Sequence, residues 1–250
     1  MTLIDSHCHL DFAIFDEDRD VVFARANAAG VTQMVVPAVA QHNWSAVARM
    51  QEDYGVWPAY GLHPVFTDQH QRSDIDALAA WLESHSAVAI GEVGLDGRFD
   101  NLSQQEDYFR AQITLAQGLA LSLIIHAHAA LEQVIQILAG YQGVRFVIHA
   151  FSGSDQQLAR IFDLGGMIGV GGTLTYSRAR RLRRQISQAP LDRLLLETDA
   201  PDQPLCGKQG ERNEPANVVS VCATLAELRG VDPQTIAQAT TDNAQHFFNS

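Results

Sequence analysis

The sequence predicts an α/β fold, a single (β/α)8 barrel of the TIM type filling residues 1–250, and three observations carry that expectation. Short apolar runs alternate with longer amphipathic stretches eight times along the chain. Several runs, among them Val35-Val36-Pro37-Ala38-Val39 and Leu121-Ser122-Leu123-Ile124-Ile125, are apolar on both faces, as strands covered by helices must be. The first run ends in Asp5-Ser6-His7-Cys8-His9, with none of the glycine-rich phosphate turn that would mark the rival open doubly wound sheet.

Taken in order, the predicted strands are Thr2–Asp5, Gln33–Ala38, Trp57–Leu62, Val88–Glu92, Leu121–His126, Arg145–His149, Met167–Val170 and Leu194–Glu197. Asp16 to Ala29 reads as a helix closed by Gly30. Ser103 to Gln117 reads as a second, closed by Gly118 and opened by Ser103-Gln104-Gln105-Glu106 in capping-box form. Ser154 to Leu164 closes at Gly165, and Pro215 to Arg229 at Gly230, with Pro215 suited to a first helical position. The tail, Asp232 to Ser250, reads as two short helices starting at Asp232-Pro233 and Thr241-Asp242. No linker or low-complexity tract divides the chain.

Composition narrows the function classes. With 46% hydrophobic and 18% charged residues the chain can bury a sizeable core, which excludes a disordered protein, and no apolar run reaches the ~18 residues of a membrane span. Cys8, Cys206 and Cys222 are an odd number at no zinc-like spacing. Together with a start that lacks a secretory signal, they predict reduced thiols and a cytoplasmic location. No motif marks an obligate protein partner. The net charge of −12 argues at first against a nucleic-acid partner, yet among 17 basic residues only Lys208 is a lysine, so the remainder are guanidinium groups suited to phosphate or carboxylate forks.

A barrel gathers side chains from the C-terminal ends of its strands at one mouth. Of the ten histidines, His7 and His9 end the first strand, His63 follows the third, His126 and His128 end the fifth and His149 the sixth. Glu92 after the fourth strand and Asp199 after the eighth join them, while His42, His70, His85 and His246 fall elsewhere. His7-x-His9 places two imidazoles on one side of a strand end, where both can reach one cation. Alone, that spacing equally describes two loop histidines. Six imidazoles and two carboxylates on one rim would be costly unless paired or bound to cations. Cys8, between the two histidines, faces the other way and reads as a packing residue.

Asp5-Ser6-His7-Cys8-His9-Leu10-Asp11, Gly61-Leu62-His63-Pro64, Gly91-Glu92-Val93-Gly94-Leu95-Asp96, Ile125-His126, His149-Ala150-Phe151-Ser152-Gly153, Gly169-Val170-Gly171-Gly172 and Glu197-Thr198-Asp199-Ala200-Pro201 follow one another through the chain. This ordered set resembles the TatD family of metal-dependent hydrolases and deoxyribonucleases in the amidohydrolase superfamily, nearest its YjjV-like branch. The resemblance implies a barrel of the metal-dependent hydrolase type with two divalent ions. His7, His9, Glu92 and Asp199 would hold one and Glu92, His126 and His149 the other, with Glu92 bridging. Glu92 and Asp199 would be the catalytic carboxylates, Asp199 orienting or deprotonating a metal-activated water. Mixed imidazole and carboxylate ligation suits Zn, Mn, Ni or Fe, and Mg remains open. The implied reaction is phosphodiester hydrolysis, with DNA or a related phosphodiester bound locally at the mouth. One departure bears on substrate: family members commonly carry an arginine two residues after the strand-five histidine, where this chain has His128. An imidazole titrating near pH ~6.5 would make a phosphate contact there pH-dependent.

Two further features are candidate substrate contacts. His63 is placed to hydrogen-bond substrate or to be held structurally before Pro64. Ser177-Arg178-Ala179-Arg180-Arg181-Leu182-Arg183-Arg184 would open the seventh helix near the rim, with Ser177 as its cap and Arg178, Arg180 and Arg181 toward a bound phosphate; a solvated basic face is the alternative. The same site would equally serve an amide, ester or lactone hydrolase, since fold does not choose among them, and a non-catalytic scaffold barrel is the reading outside enzymology. Two divalent ions would bring the net charge to about −8, and exposed acids farther than a Debye length of about 8 Å from the mouth are screened. The acidic total therefore leaves a local phosphate site open.

Overall fold

The computed structural model describes residues 1–249. Eight strands lie parallel in the order of the sequence: β1 (Leu3–Asp5), β2 (Val31–Pro37), β3 (Trp57–Tyr60), β4 (Ala89–Asp96), β5 (Ser122–His128), β6 (Phe146–Ile148), β7 (Met167–Val170) and β8 (Leu194–Leu196). Beyond the short β1 and β8 the chain continues the seam. Ser6 N donates to Leu196 O at 2.9 Å, Asp199 N to His7 O at 2.9 Å, and Cys8 bridges Ala200 in parallel. The expected barrel is therefore present, and the segments that carry His7, His9 and Asp199 are the ones that close it.

Around the strands run α1 (Arg19–Ala28), α2 (Trp44–Tyr54), α3 (Ser73–Ser84), α4 (Leu102–Leu119), α5 (Leu131–Leu138), α6 (Asp155–Asp163), α7 (Arg180–Gln188), α8 (Val218–Arg229) and α9 (Pro233–Asn249). None among the described residues is long and apolar enough to cross a membrane.

The alternation of each strand divides two packing layers. Outward residues such as Leu3, Met34, Val36, Leu123, Ile125 and Ile148 pack under the helices. Inward, each strand gives one residue to a single ring, Ile4, Val35, Ala59, Ala89, Ile124, Val147, Met167 and Leu195, and Phe247 and Phe248 of α9 plug it from below. Each plugging ring removed from water contributes roughly 1.5–3 kcal/mol. Two residues farther along the strands, the period of two places Gly61, Gly91, His126, His149, Gly169 and Glu197 in the next layer. Glycine is required where polar side chains fill that space: a Cβ on Gly169 would overlap the Glu197 carboxylate, and one on Gly61 would press on the Gly91–Glu92 backbone. The core floor thus gives way, one layer up, to the polar site.

Several helix ends differ from expectation, each for a local reason. A 3-10 turn, Ala13–Phe15, replaces the first turn expected from Asp16, and α1 begins at Arg19. The capping box at Ser103 does not form. α4 starts one residue earlier at Leu102, with Asn101 as its N-cap, and runs through Gly118 to a left-handed Ala120 at φ 55°; in its first turn Gln105 accepts from the Asp96 amide. The tail is one helix, α9, not two: the Thr241 hydroxyl donates to Thr2 O, so it docks the helix on the barrel rather than capping a new one; Ser250 lies outside the described residues. Ser177 does not cap α7, whose N-cap Ala179 offers no side-chain bond.

The α6 start is as expected. Ser154 Oγ accepts from Gln157 N at 3.2 Å and Gln157 Oε1 accepts from Ser154 N at 2.9 Å, and the chain leaves the helix through Gly165 at φ 82°. Ser154→Ala is expected to lower unfolding stability by about 1 kcal/mol in urea titrations, with the unfolding slope unchanged.

Candidate metal centre

The site is organised by one carboxylate. Glu92 is 1% exposed on β4, and its two oxygens face different sets of partners. Oε2 lies 3.2 Å from His7 Nε2 and 3.3 Å from His9 Nε2, with Asp199 Oδ1 at 3.5 and 3.8 Å from the same two nitrogens. Oε1 lies 2.8 Å from His149 Nε2, 3.1 Å from His126 Nδ1 and 3.1 Å from His63 Nε2. Two groups of donors therefore meet on opposite oxygens of one buried side chain.

Electrostatically the centre calls for positive charge. Burial would raise Glu92, but His63, His149 and His7 and the His126 hydrogen bond outweigh it and hold the carboxyl well below its usual range. Burial pushes Asp199 up to about 6 and His7 down to about 3. Against burial, the Glu92 hydrogen bond and charge, with Asp199 behind them, raise His9 to about 9, and Glu92 and Glu197 lift His149 well above its ordinary value.

The donor set fits divalent cations. His7 Nε2 and His9 Nε2 face each other at 3.2 Å, and His126 Nδ1 and His149 Nε2 at 3.4 Å, so in each neutral pair at most one nitrogen can donate to the other. Three groups of three such atoms, His7–His9–Glu92, His7–His149–Asp199 and His63–Glu92–His126, each lie within 4.8 Å of one another. A cation between such atoms satisfies lone pairs that protons cannot satisfy together.

The rings are held in different ways. His126 Nε2 is bound by the buried Asp96 carboxylate at 3.0 Å, which leaves Nδ1 for the centre. His149 Nδ1 lies 3.7 Å from Glu197, whose carboxylate accepts from Ala150 N at 2.6 Å; Glu197 stays within the barrel wall, as expected, and there touches a site histidine. His7 and His9 have buried Nδ1 atoms without hydrogen-bond partners, and stacking fixes them instead, His7 on His149 at 4.1 Å and His9 on Phe12 at 4.7 Å between centroids. Asp199 occupies a left-handed backbone at φ 58°, and Gln203 Nε2 donates to its Oδ2 at 2.7 Å, which aims Oδ1 at the histidines.

A cleft of about 470 Å³ opens above, lined among others by His63, Arg98, His126, His128, Asp199 and Gln203. His63 contacts the cleft and Glu92 together: its Nδ1 accepts from Val65 N at 3.1 Å, so Nε2 carries the proton and donates to Glu92. The second ion's expected donors, Glu92, His126 and His149, thus share their oxygen with a neutral imidazole that the ligand set implied by resemblance did not include. His128 is exposed at the end of β5, and partial desolvation of its ring, followed by the Arg98 charge, lowers its pKa. The imidazole is neutral at pH 7, so the pH dependence expected of it moves below its ordinary range.

Arg178, Arg180 and Arg181 do not line the cleft. All three are exposed, Arg178 lies over the Tyr176 ring at 5.0 Å, and their neighbours Arg183 and Arg184 bind Leu174 O and the Asp155 carboxylate. The basic run is an exposed face outside the cleft, and the Ser177 cap expected at its helix start does not form.

A family model described as TatD related DNase matches residues 4–249. The chain belongs to the TatD family. It is 40% identical over 252 residues to the uncharacterized metal-dependent hydrolase YjjV of Escherichia coli K12, covering 98% of this chain and 97% of that one. It is 32% identical to the 3'-5' ssDNA/RNA exonuclease TatD of Citrobacter koseri, covering 98% of each. The solved structure of the E. coli K12 YjjV TatD homologue superposes with a TM-score of 0.95 at 39% identity, over 99% of this chain and 98% of that one. This TatD chain is therefore a metal-dependent hydrolase, as its sequence motifs led us to expect. What sequence reasoning missed in the TatD site is Arg98, Asp96 as the partner of His126, and Gln203. Position would have found Asp96, which stands four residues after Glu92 in the same motif, whereas Arg98 gives no spacing signal.

Proposed function

We propose that the chain is a two-metal phosphodiesterase acting on DNA or a related nucleic-acid phosphodiester, with residues 1–250 as one catalytic unit. The observation that carries this reading is the split of Glu92, one oxygen toward His7 and His9, which Asp199 also faces, and the other toward His126 and His149. Those six residues are the proposed ligands, with Glu92 bridging. The chemistry of the donors suits Zn, Mn, Ni, Fe or Mg, and when bound such ions supply water of lowered pKa and neutralise charge on a phosphoryl group. The exonuclease names of the C. koseri and Salmonella typhimurium relatives support a nucleic-acid substrate.

The chain's own residues supply the rest. Asp199 Oδ1, fixed by Gln203 at the other oxygen, is placed to take a proton from the attacking water. As the P–O bond to the leaving oxygen breaks, Asp199 returns that proton to it. His63 donates to Glu92 and keeps its charge fixed. Phe12, Val39, Val65 and Phe66 form an apolar wall that limits water in the cleft. The free thiols Cys8, Cys206 and Cys222 support action in a reducing, cytoplasmic compartment.

A second reading, amide, ester or lactone hydrolysis, is favoured by His128, an imidazole with no fixed charge at the end of β5. Metal-supplemented profiling on single-stranded DNA, RNA, bis(p-nitrophenyl) phosphate and p-nitrophenyl esters separates the readings. Metal-dependent cleavage of the phosphodiesters is expected, and cleavage of esters alone with metal bound would reject our reading. Asp199→Asn should lower kcat by about 10²- to 10⁴-fold on the phosphodiester, the range for a positioned general base. A scaffold barrel would show no turnover to lose.

A further inference from the structure

We propose that Arg98 is the phosphate-binding residue of the cleft, holding a backbone phosphate that flanks the scissile one. This rests on the phosphodiesterase reading and adds a residue to it. Among the described residues that line the cleft, Arg98 is the only lysine or arginine, whereas Glu92, Asp199 and Asp202 line it as acids. A polyanion entering this mouth meets one guanidinium contributed by the chain, held from behind by the buried Asp96 carboxylate.

The guanidinium is preorganised. Nε donates to Asp96 Oδ1 at 2.9 Å, Nη2 to Asp96 Oδ2 at 2.5 Å, and the Arg98 amide to Oδ1 at 3.0 Å. The Asp96 side chain is fully buried while that of Arg98 is 56% exposed, so the fork is anchored at its inner edge and open at its outer one. Of the three nitrogens, Nη1 is left for a ligand, with both of its hydrogens. An arginine already held in place loses little freedom when it takes up an oxyanion, and its planar face suits phosphate.

Its place in the sheet connects it to the centre. Asp96 pairs with His128 across β4 and β5, and Gly97 N donates to His128 O at 2.8 Å, so Arg98 stands one strand over from His128. Asp96 Oδ2 also accepts from His126 Nε2 at 3.0 Å, so one carboxylate holds the phosphate-binding group and a proposed metal ligand in fixed relation.

That second contact gives Arg98 a rival role, as a prop for Asp96 and His126, and the test separates the two. Binding of a fluorescein-labelled oligothymidylate is measured by anisotropy in EDTA, where no cleavage occurs, between about 50 and 200 mM KCl. Uptake of Mn²⁺ is measured separately by calorimetry. Arg98→Ala should weaken binding about tenfold at the lowest salt and flatten the log–log salt slope by about 0.7, with Mn²⁺ uptake unchanged. Arg98→Lys should restore most of the slope. An unchanged slope in Arg98→Ala overturns the proposal, whether or not Mn²⁺ uptake falls, and so does wild-type protein that does not bind the oligonucleotide. Wild-type protein that binds through Arg98 yet fails to cleave with Mn²⁺ rejects the nuclease reading and leaves this assignment standing.

Discussion

Glu92→Gln is expected to reduce metal-dependent hydrolysis by on the order of 10³-fold, since it removes a charge whose stabilisation of the reacting centre amounts to several kcal/mol. No other carboxylate divides its oxygens between the histidines of the two halves: Asp199 lies near His7 and His9, and Asp96 near His126. His7 and His9 face one Glu92 oxygen at 3.2 and 3.3 Å, and His63, His126 and His149 face the other at 3.1, 3.1 and 2.8 Å. Glutamine preserves the shape but replaces one oxygen with an amide nitrogen that can only donate, and it is neutral. The half of the site that meets the nitrogen then has its imidazole lone pairs facing a donor and no anion. Binding of divalent cations measured by calorimetry should fall in stoichiometry or affinity, and circular dichroism should show the barrel intact. Asp199→Asn should bind cations better than Glu92→Gln, because Asp199 comes within 4 Å of the His7 and His9 nitrogens alone, whereas Glu92 does so with five histidines. A Glu92→Gln protein that retains activity within tenfold of wild type would show that the shared carboxylate is not central to the reaction.

The barrel was legible in the sequence because its constraint is repeated eight times. Each inward residue of the ring from Ile4 to Leu195 sits on a strand that the apolar runs mark, and an error at one boundary leaves the alternation intact. The rim histidines were legible for the same reason, since a strand end is a position that can be read. Helix ends were less so, because they depend on contacts between distant segments. Gly118 signals a stop, but the chain continues helical there and takes its left-handed turn at Ala120. Thr241 signals a start, but Thr2 lies within reach of its hydroxyl.

Charge was the hardest feature to read. Arg178 to Arg184 form the densest basic run in the sequence, yet Tyr176, Leu174 O and Asp155 engage members of it outside the cleft. The isolated Arg98 lies inside, placed there by a β4 that runs four residues beyond its expected end at Glu92 to Asp96. The density of arginines along the sequence did not locate the one that enters the cleft; its place beside the buried Asp96 carboxylate depends on the register of β4 against β5.

That register makes Gly94→Ala the most damaging small substitution expected in the fold. Gly94 pairs with His126 beyond a shift in the β4–β5 ladder between Ile90 and Val93. Its φ of 129° lies where residues with a side chain are rarely found, at a cost of about 1–3 kcal/mol. A Cβ would overlap the His126 carbonyl oxygen and stand 3.0 and 3.1 Å from the His126 carbonyl carbon and amide nitrogen. Those are backbone atoms of the paired strand and cannot rotate away, so overpacking adds about 1–3 kcal/mol. The sum is a large part of a typical stability of about 5–15 kcal/mol and would lower Tm on the order of 10 °C. Relief by separating β4 from β5 would pull Glu92 and Asp96 from His126, so cation uptake should fall with Tm. Gly118→Ala supplies the contrast: Gly118 is exposed inside α4, with nothing within 4 Å of the place its methyl group would take, and alanine there should stabilise by up to about 1 kcal/mol. Equal thermal stability of the two variants would mean that the β4–β5 contact is looser than its geometry indicates.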